Sequence, residues 1–403
     1  MITAIIGGGA AGLMAACLLV RRGAQVVLLE KQPRVGRKLL STGNGRCNLT
    51  NLNASPRDYH GDARYVRAAL AALPPAAAID LFESLGVLCA PDAEGRVYPV
   101  SNQAAGVLDG LRLYLAEHGC DVQTECAAAR VDRRKDGFSI ECADGRRVRA
   151  DYVLIACGGL AAPKLGACAD GYRLLEGFGH TITPRHPAIA ALKTDPAAVR
   201  ALKGIRMHGE ISLHGKNGAI RTEAGEILFG DGTISGIAAM QLARDVNLRA
   251  KEELRAHLNF LPNAKPDLIL ERAALLPDRL MDDFLTGIVP KRLGQAIVKA
   301  AGVQLSAEAG SMRRSEAMAV QARLTDFTLP VTGTLGYDQA QVTSGGARIT
   351  EFSEGALESM RCPNLFAAGE VLDVDGDCGG FNLQWAWASA KLVTDEILKR
   401  CGL

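Results

Sequence analysis

Six residues near the N-terminus, Gly7-Gly8-Gly9-Ala10-Ala11-Gly12, restrict this 403-residue chain more than any other feature. They spell GxGxxG, and their surroundings fit the pattern. Residues 3–6 are a short apolar, β-branched run, and residues 13–22 are good helix formers stopped by Gly23. Residues 25–29 are a second apolar run, closed by Glu30. A strand, tight turn, helix, strand and acid in that order make a dinucleotide-binding unit. Gly7 permits the turn, Gly9 lets the backbone approach a diphosphate, and Gly12 lets the helix lie close to the strand. The helix start offers free N–H groups and partial positive charge to the phosphates. Glu30 is placed to accept from ribose hydroxyls. An acid there disfavours a 2′-phosphate, which leaves FAD or NAD as the bound nucleotide.

The rest of the chain selects FAD. After Glu30 comes no second strand–helix alternation but a long Gly/Asn-rich connection, residues 36–51, with Lys38, Arg46 and several amides in it. Residues 122–156 read as a β-meander with turns at 133–137 and 144–145, whose last strand runs into Cys157-Gly158-Gly159. That is the usual crossover of an FAD-binding Rossmann-type domain, and it makes Gly158 a cofactor-binding candidate. Near the C-terminus, residues 365–370 are a buried strand ending in Gly369-Glu370. A glycine-rich turn at 376–382 follows, and then a helix over about 383–399. Glu370 is placed to bond a ribitol chain, and the helix start to face the flavin edge where negative charge gathers on reduction.

The runs GGGAAG, GRKLLSTGNGRCNLTN, GEILF…SG, VTSGG and AGEVLDVDGDCGGFNLQWAWASA together resemble the BaiN/RdsA family of FAD-dependent oxidoreductases, also catalogued as aminoacetone oxidase-like flavoproteins. The resemblance spans nearly the whole chain. It implies an FAD domain built from both ends of the chain around an inserted part. It implies cofactor contacts from Gly7, Gly9, Ala11 and Gly12 in the first turn, and from Glu30 and Lys31 after the second strand. Lys38, Thr42, Gly43, Arg46, Cys47 and Asn48 add contacts from the long loop, and Gly369, Glu370, Gly380 and Asn382 from the C-terminal part. The chain departs from the family pattern after residues 226–229, where Gly230-Asp231-Gly232-Thr233 replaces a run that holds a histidine. The resemblance also implies hydride transfer to an activated C=C bond, either in an enone-type small molecule or in a uridine of ribosomal RNA. The older label implies an oxidase of a small amine or ketone instead, and a flavin-dependent sensor or RNA-binding protein without turnover is a reading of another class.

The expected architecture is thus α/β: a discontinuous FAD-binding domain over 1–186 and 336–403, a small inserted β-domain over 187–243 and 325–335, and a helical excursion over 244–324. That excursion holds 13 basic and 10 acidic residues, a mild bias that permits RNA contact. No second GxGxxG with an acidic partner follows, so NAD(P)H is expected only as a transient electron donor at the flavin face. No CxxxxC redox pair is present. Cys47, between Arg46 and Asn48, is a candidate proton donor because a neighbouring cation tunes thiol acidity, and Cys378 is a second. The seven His lack metal-ligand spacing, and the 11 Cys lie scattered without a CxxC pair, so no metal site is expected. The net charge of +2 gives no global signal for nucleic acid or membrane. The apolar first twenty residues carry their charges after the run, at Arg21 and Arg22, so they read as a strand and helix rather than a signal peptide. A cytoplasmic location follows as an expectation. Oligomeric state is left open.

Overall fold

The computed structural model describes residues 1–403, which divide into two units: Met1–His186 with Gln341–Leu403, and Pro187–Ala340. The second boundary falls after Ala340, so residues 336–340 go with the insertion rather than with the C-terminal part.

The first unit is built on β1 (Ile2–Ile6), α1 (Ala10–Val20) and β2 (Gln25–Leu29). β1 is central in a five-stranded parallel sheet. On one side lie β2 and then β3 (Asp121–Gln123); on the other lie β7 (Tyr152–Ile155) and then β8 (Leu365–Ala367). Ala4 is opposite both Val27 and Val153, and Leu154 is opposite Phe366. Both faces of such a sheet are covered, and its inner strands read as unbroken apolar runs for that reason. β2, which follows β1 directly, and β7, reached only after the meander, flank β1 on opposite sides, so the carboxyl ends of β1 and β7 form the switch point where an α/β sheet binds its ligand.

α1 is apolar all round, and every residue from Ala11 to Val20 is buried. Neighbours on more than one side explain this: β1 and β2, the helix Ala104–Glu117, and α2 (Phe381–Cys401), the last helix of the chain. The two ends of the polypeptide are therefore packed into one core. Between β3 and β7, the strands β4 (Ala128–Arg134), β5 (Gly137–Cys142) and β6 (Arg147–Ala150) form an antiparallel meander. Gly137 turns the first hairpin at φ +118°, and a Cβ there would stand 2.4 Å from the Ala150 carbonyl oxygen. The run beginning at Val122 is not part of that meander, because Val122 pairs with Leu28 and extends the parallel sheet.

The second unit is a seven-stranded antiparallel sheet with helices. Its spine is the long hairpin Arg206–Gly215 and Gly218–Phe229, with Ser212 opposite Thr222. Leu254–Asn259 pairs with this hairpin and with Phe327–Val331. It lies inside the region expected to be helical, which corrects that reading. Its residues alternate between buried and more exposed positions, with Leu254, Ala256 and Leu258 inside, a period of two that the Ala/Leu/Arg-rich surroundings obscure. Helices Lys291–Ala300 and Arg314–Thr325 follow it, as the composition suggests. No single helix of the chain is long and apolar enough to cross a membrane.

Candidate active site

The glycines of the first turn divide by what their surroundings demand. Gly7 sits at φ +112°, donates its N–H to the Leu29 carbonyl at 2.8 Å, and has no room for a side chain. A Cβ on Gly12 would stand 1.9 Å from the Gly7 carbonyl oxygen. Both are needed by the fold itself. Gly9 is not: at φ −84° and ψ −167° it has ordinary extended backbone, and a Cβ there would meet nothing within 4 Å. Gly9 caps α1 without a side-chain bond, and the first intrahelical bond runs from Leu13 N to Gly9 O at 2.9 Å. The N–H groups of the first turn, including that of Ala11, are therefore left for a ligand, with open space before them.

Glu30, at the end of β2, is turned toward this site. Its Oε2 accepts from Gly8 N at 2.8 Å and its Oε1 from Gln32 N at 2.7 Å. Two bonds leave a carboxylate with further lone pairs, enough for ribose hydroxyls. Lys31 points elsewhere and pairs with Asp170 at 3.3 Å. Asp170 also accepts from the Cys168 thiol at 2.9 Å, so Lys31 has a structural partner already.

A second group forms where the C-terminal strand ends. Gly369, at φ +76°, is so close to α1 that its Cβ would be 2.9 Å from that of Ala11. Its N–H donates to Ser389 Oγ at 3.0 Å and its carbonyl accepts from Trp385 Nε1 at 3.1 Å. Glu370 meets Lys38 across the site, with Nζ to Oε2 at 2.7 Å, and its Oε1 accepts from Thr343 N at 2.8 Å. Gly158, at φ +72°, borders the same carboxylate: a Cβ would lie 3.8 Å from Glu370 Oε2. The sequence reading thus named Lys38, Glu370 and Gly158 separately, and the fold brings them together. Thr343, within the VTSGG run, carries no sequence signal of its own. Its Oγ1 accepts from both Leu160 N and Ala161 N, at 2.8 and 3.0 Å, and ties the crossover turn to Glu370.

The long loop closes on the start of α2. Gly43 and Asn44 both have φ +56°, and Cys47 has φ +61°, so the loop is wound tightly by left-handed residues. With its amide oriented to suit both partners, Asn48 accepts from Gly380 N at 3.2 Å and donates to the Thr50 carbonyl at 3.1 Å. Asn51 Nδ2 donates to Gly379 O at 3.0 Å. Gln384, fully buried in α2, accepts from Thr50 Oγ1 at 2.7 Å and donates to Leu73 O at 2.6 Å. Sequence reasoning passed over Gln384 because a lone amide in an apolar helix carries no motif. Gly380 caps α2 with no side-chain bond, which leaves the first N–H groups of this helix free as well. Asn382 turns back, accepting from Gly376 N at 2.8 Å and donating to Gly376 O at 2.7 Å, so it shapes the glycine-rich turn. Trp385 and Trp387 are buried core residues.

The expectation that Arg46 acidifies Cys47 is corrected by the geometry. The guanidinium lies over the Tyr98 ring, 4.4 Å from its centre, and Thr42 Oγ1 donates to Leu39 O at 2.7 Å beneath the loop. Burial pushes the Cys47 thiol up to about 12, against a smaller opposing hydrogen bond from Thr42. Burial likewise pushes Cys378 up to about 11. Both thiols are protonated at neutral pH. Cys47 has no exposed surface.

These residues fit FAD. The open cradle at Gly9, the uncapped start of α1 and the inward carboxylate of Glu30 suit a diphosphate and an adenosine ribose. The uncapped start of α2 and the Lys38–Glu370 pair suit the other half of the molecule.

The sequence from 1 to 396 matches the HI0933-like protein Rossmann domain family. The chain is 34% identical over 398 residues to a 3-dehydro-bile acid delta(4,6)-reductase of Clostridium scindens, covering 96% of this chain and 97% of that one. It is 30% identical over 408 residues to a ribosomal RNA dihydrouridine synthase of Escherichia coli, covering 98% of this chain and 97% of the relative. Among solved structures, the 3-ketosteroid delta1-dehydrogenase of Sterolibacterium denitrificans shares the fold, with a TM-score of 0.53 and 13% identity over 99% of both chains.

Proposed function

From its membership of the HI0933-like Rossmann family, shown by a match over residues 1–396, we propose that this FAD-dependent oxidoreductase saturates a C=C bond conjugated to a carbonyl. One observation carries the reading. Two relatives, each aligned with nearly the whole chain, are named 3-dehydro-bile acid delta(4,6)-reductase and ribosomal RNA dihydrouridine synthase. Those reactions differ in the molecule that holds the double bond and share the chemical step. NAD(P)H is the proposed electron donor, and an enone-type small molecule or a uridine in ribosomal RNA the proposed acceptor.

FAD, when bound, supplies the hydride. The chain's part is to bind and polarise. The first-turn N–H groups of α1 would hold the diphosphate, with Gly9 leaving it room. Glu30 would accept from the adenosine ribose while staying anchored to Gly8 and Gln32. Lys38 and Glu370, paired at 2.7 Å, would hold polar atoms of the ribityl half. The start of α2, its cap held by Asn48, would face negative charge with fixed N–H dipoles that need no reorganisation. The neutral, buried thiol of Cys47 excludes water beneath the loop.

The test is anaerobic reduction with NADPH or NADH, followed by separate additions of a conjugated enone, protein-free ribosomal RNA, and air. Rapid reoxidation by enone or RNA, with a saturated product, supports the proposal. Rapid reoxidation by air alone, with peroxide released, would replace it with an oxidase. No turnover with any of the three would point to a sensor.

A further inference from the structure

Cys126 lies just before the first strand of the meander and Cys142 at the end of its second, and no step described above uses either thiol. Their sulfurs are 2.7 Å apart and both residues are buried, at 1% and 2% exposure. That separation is well inside the roughly 3.5–4.0 Å at which non-bonded heavy atoms settle. It is also too short for two thiolates sharing a zinc ion, which at about 2.3 Å from the metal would stand roughly 3.8 Å apart. A disulfide, at about 2.05 Å, needs only a sub-ångström approach.

The backbone holds the two cysteines in place. Ala143 N donates to Ala127 O at 2.8 Å, next to both residues, and Cys142 N donates to Arg146 O at 2.9 Å. Arg146 braces the other strand, donating to Glu125 O at 2.8 Å and Thr124 O at 3.2 Å, and it pairs with Asp144 at 2.6 Å. Cys126 N donates to the carbonyl of Glu30 at 2.9 Å, and Glu125 N to that of Gln32 at 3.1 Å. A bond between the sulfurs would therefore pin the segment that follows β2.

We propose that Cys126 and Cys142 form a reversible disulfide when the protein meets a peroxide. The step balances. Hydrogen peroxide oxidises one thiol to a sulfenic acid, its O–O bond breaking and one water leaving. The second sulfur attacks the first, expelling a second water as the S–S bond forms. Two thiols lose two electrons and two protons in all, and one peroxide becomes two waters. With the two sulfurs 2.7 Å apart, whichever thiol is oxidised first has the other in place to resolve it.

The experiment treats the full-length protein, as purified, with stoichiometric hydrogen peroxide. Free thiols are then alkylated, and the non-reducing tryptic digest is mapped. The expected product joins residues 113–130 to residues 136–146, is two hydrogens lighter than the sum of the free peptides, and disappears with dithiothreitol. Cys120 shares the first peptide, so fragmentation must place the link on Cys126, and Cys120→Ser must keep it. Cys126→Ser and Cys142→Ser should each lose the link, and dimedone should trap a sulfenic acid on the remaining thiol in at least one of them. The melting midpoint of the oxidised protein should rise by several degrees and return on reduction. Asp144 offers a carboxylate oxygen within 4.8 Å of both sulfurs, so metal content is measured in the same samples. Alkylation of both thiols after peroxide would overturn the proposal, as would a link through Cys120. One zinc per chain, lost in either cysteine variant, would overturn it too. The map of the unsubstituted protein decides the matter even if a variant fails to fold.

Discussion

Replacing Gly9 by alanine separates two uses of glycine within one turn. A Cβ at this position meets nothing within 4 Å, and the backbone there suits any residue, so the apo protein has no reason to lose its fold. The helix cap changes from Gly to Ala, which shifts stability by about 0.5–1 kcal/mol. The methyl group enters the space before the first turn of α1, where the diphosphate would sit. Losing one hydrogen bond to a charged group, at about 1.5–3 kcal/mol, would weaken FAD binding by roughly 10- to 100-fold, and losing a second would multiply that again. Gly12→Ala is the contrasting case. Its Cβ would be 1.9 Å from the Gly7 carbonyl oxygen, so it should damage the fold with or without the cofactor. The assay is flavin fluorescence titration of apo protein beside thermal unfolding in the absence of FAD. The reasoning is refuted if Gly9→Ala binds FAD as tightly as the parent, or if its apo form melts much earlier.

Three further outcomes are expected. Glu30→Gln keeps one acceptor oxygen for the turn but removes the charge and one bond to a backbone N–H. It should weaken FAD binding roughly 10-fold and cost about 1–3 kcal/mol of stability, read by titration and urea unfolding. Cys47→Ala should retain turnover within a few-fold while destabilising the protein by about 1–2 kcal/mol; a loss of activity without a loss of stability would restore the thiol as a reactant. The third concerns acid. Arg361 donates to both oxygens of Glu351, at 2.9 and 3.3 Å, and with Thr181 it holds this carboxyl at about 2. A depressed folded value means the contribution is complete above the unfolded value near 4.5 and lost as pH falls toward 2. It is worth at most about 3 kcal/mol. Urea midpoints of the protein and of Glu351→Gln, taken from pH 6 to pH 2, should converge at the acid end. A gap that persists at pH 2 would contradict this.

What could be read in the sequence was what depends on short-range pattern. The strand at Gln25–Leu29, the turn at Gly7 and the acid at Glu30 lie within 30 residues, and each is set by local backbone needs. The helix start was misjudged by three residues because Ala10 and Ala11 are as good at carrying a helix as at filling a loop. The strand Leu254–Asn259 was lost for a related reason: six alternating residues among helix formers give a weak period-two signal. Contacts that span the chain were not legible at all. Lys38 meets Glu370, Thr50 meets Gln384, and Thr343 meets the N–H groups after Gly159, each pair more than 180 residues apart. Burial was equally hidden. Beside Arg46 in sequence, Cys47 looks acidic, yet the guanidinium sits on Tyr98 and the thiol is sealed from water.

The most direct test is a crystal structure of the protein with FAD bound. One flavin per chain should lie with its diphosphate on the first-turn N–H groups of α1, its adenosine ribose against Glu30, and its ring system near the start of α2. A flavin bound elsewhere, with the space at Gly9 still empty, would contradict the account, and so would protein that takes up no flavin from excess.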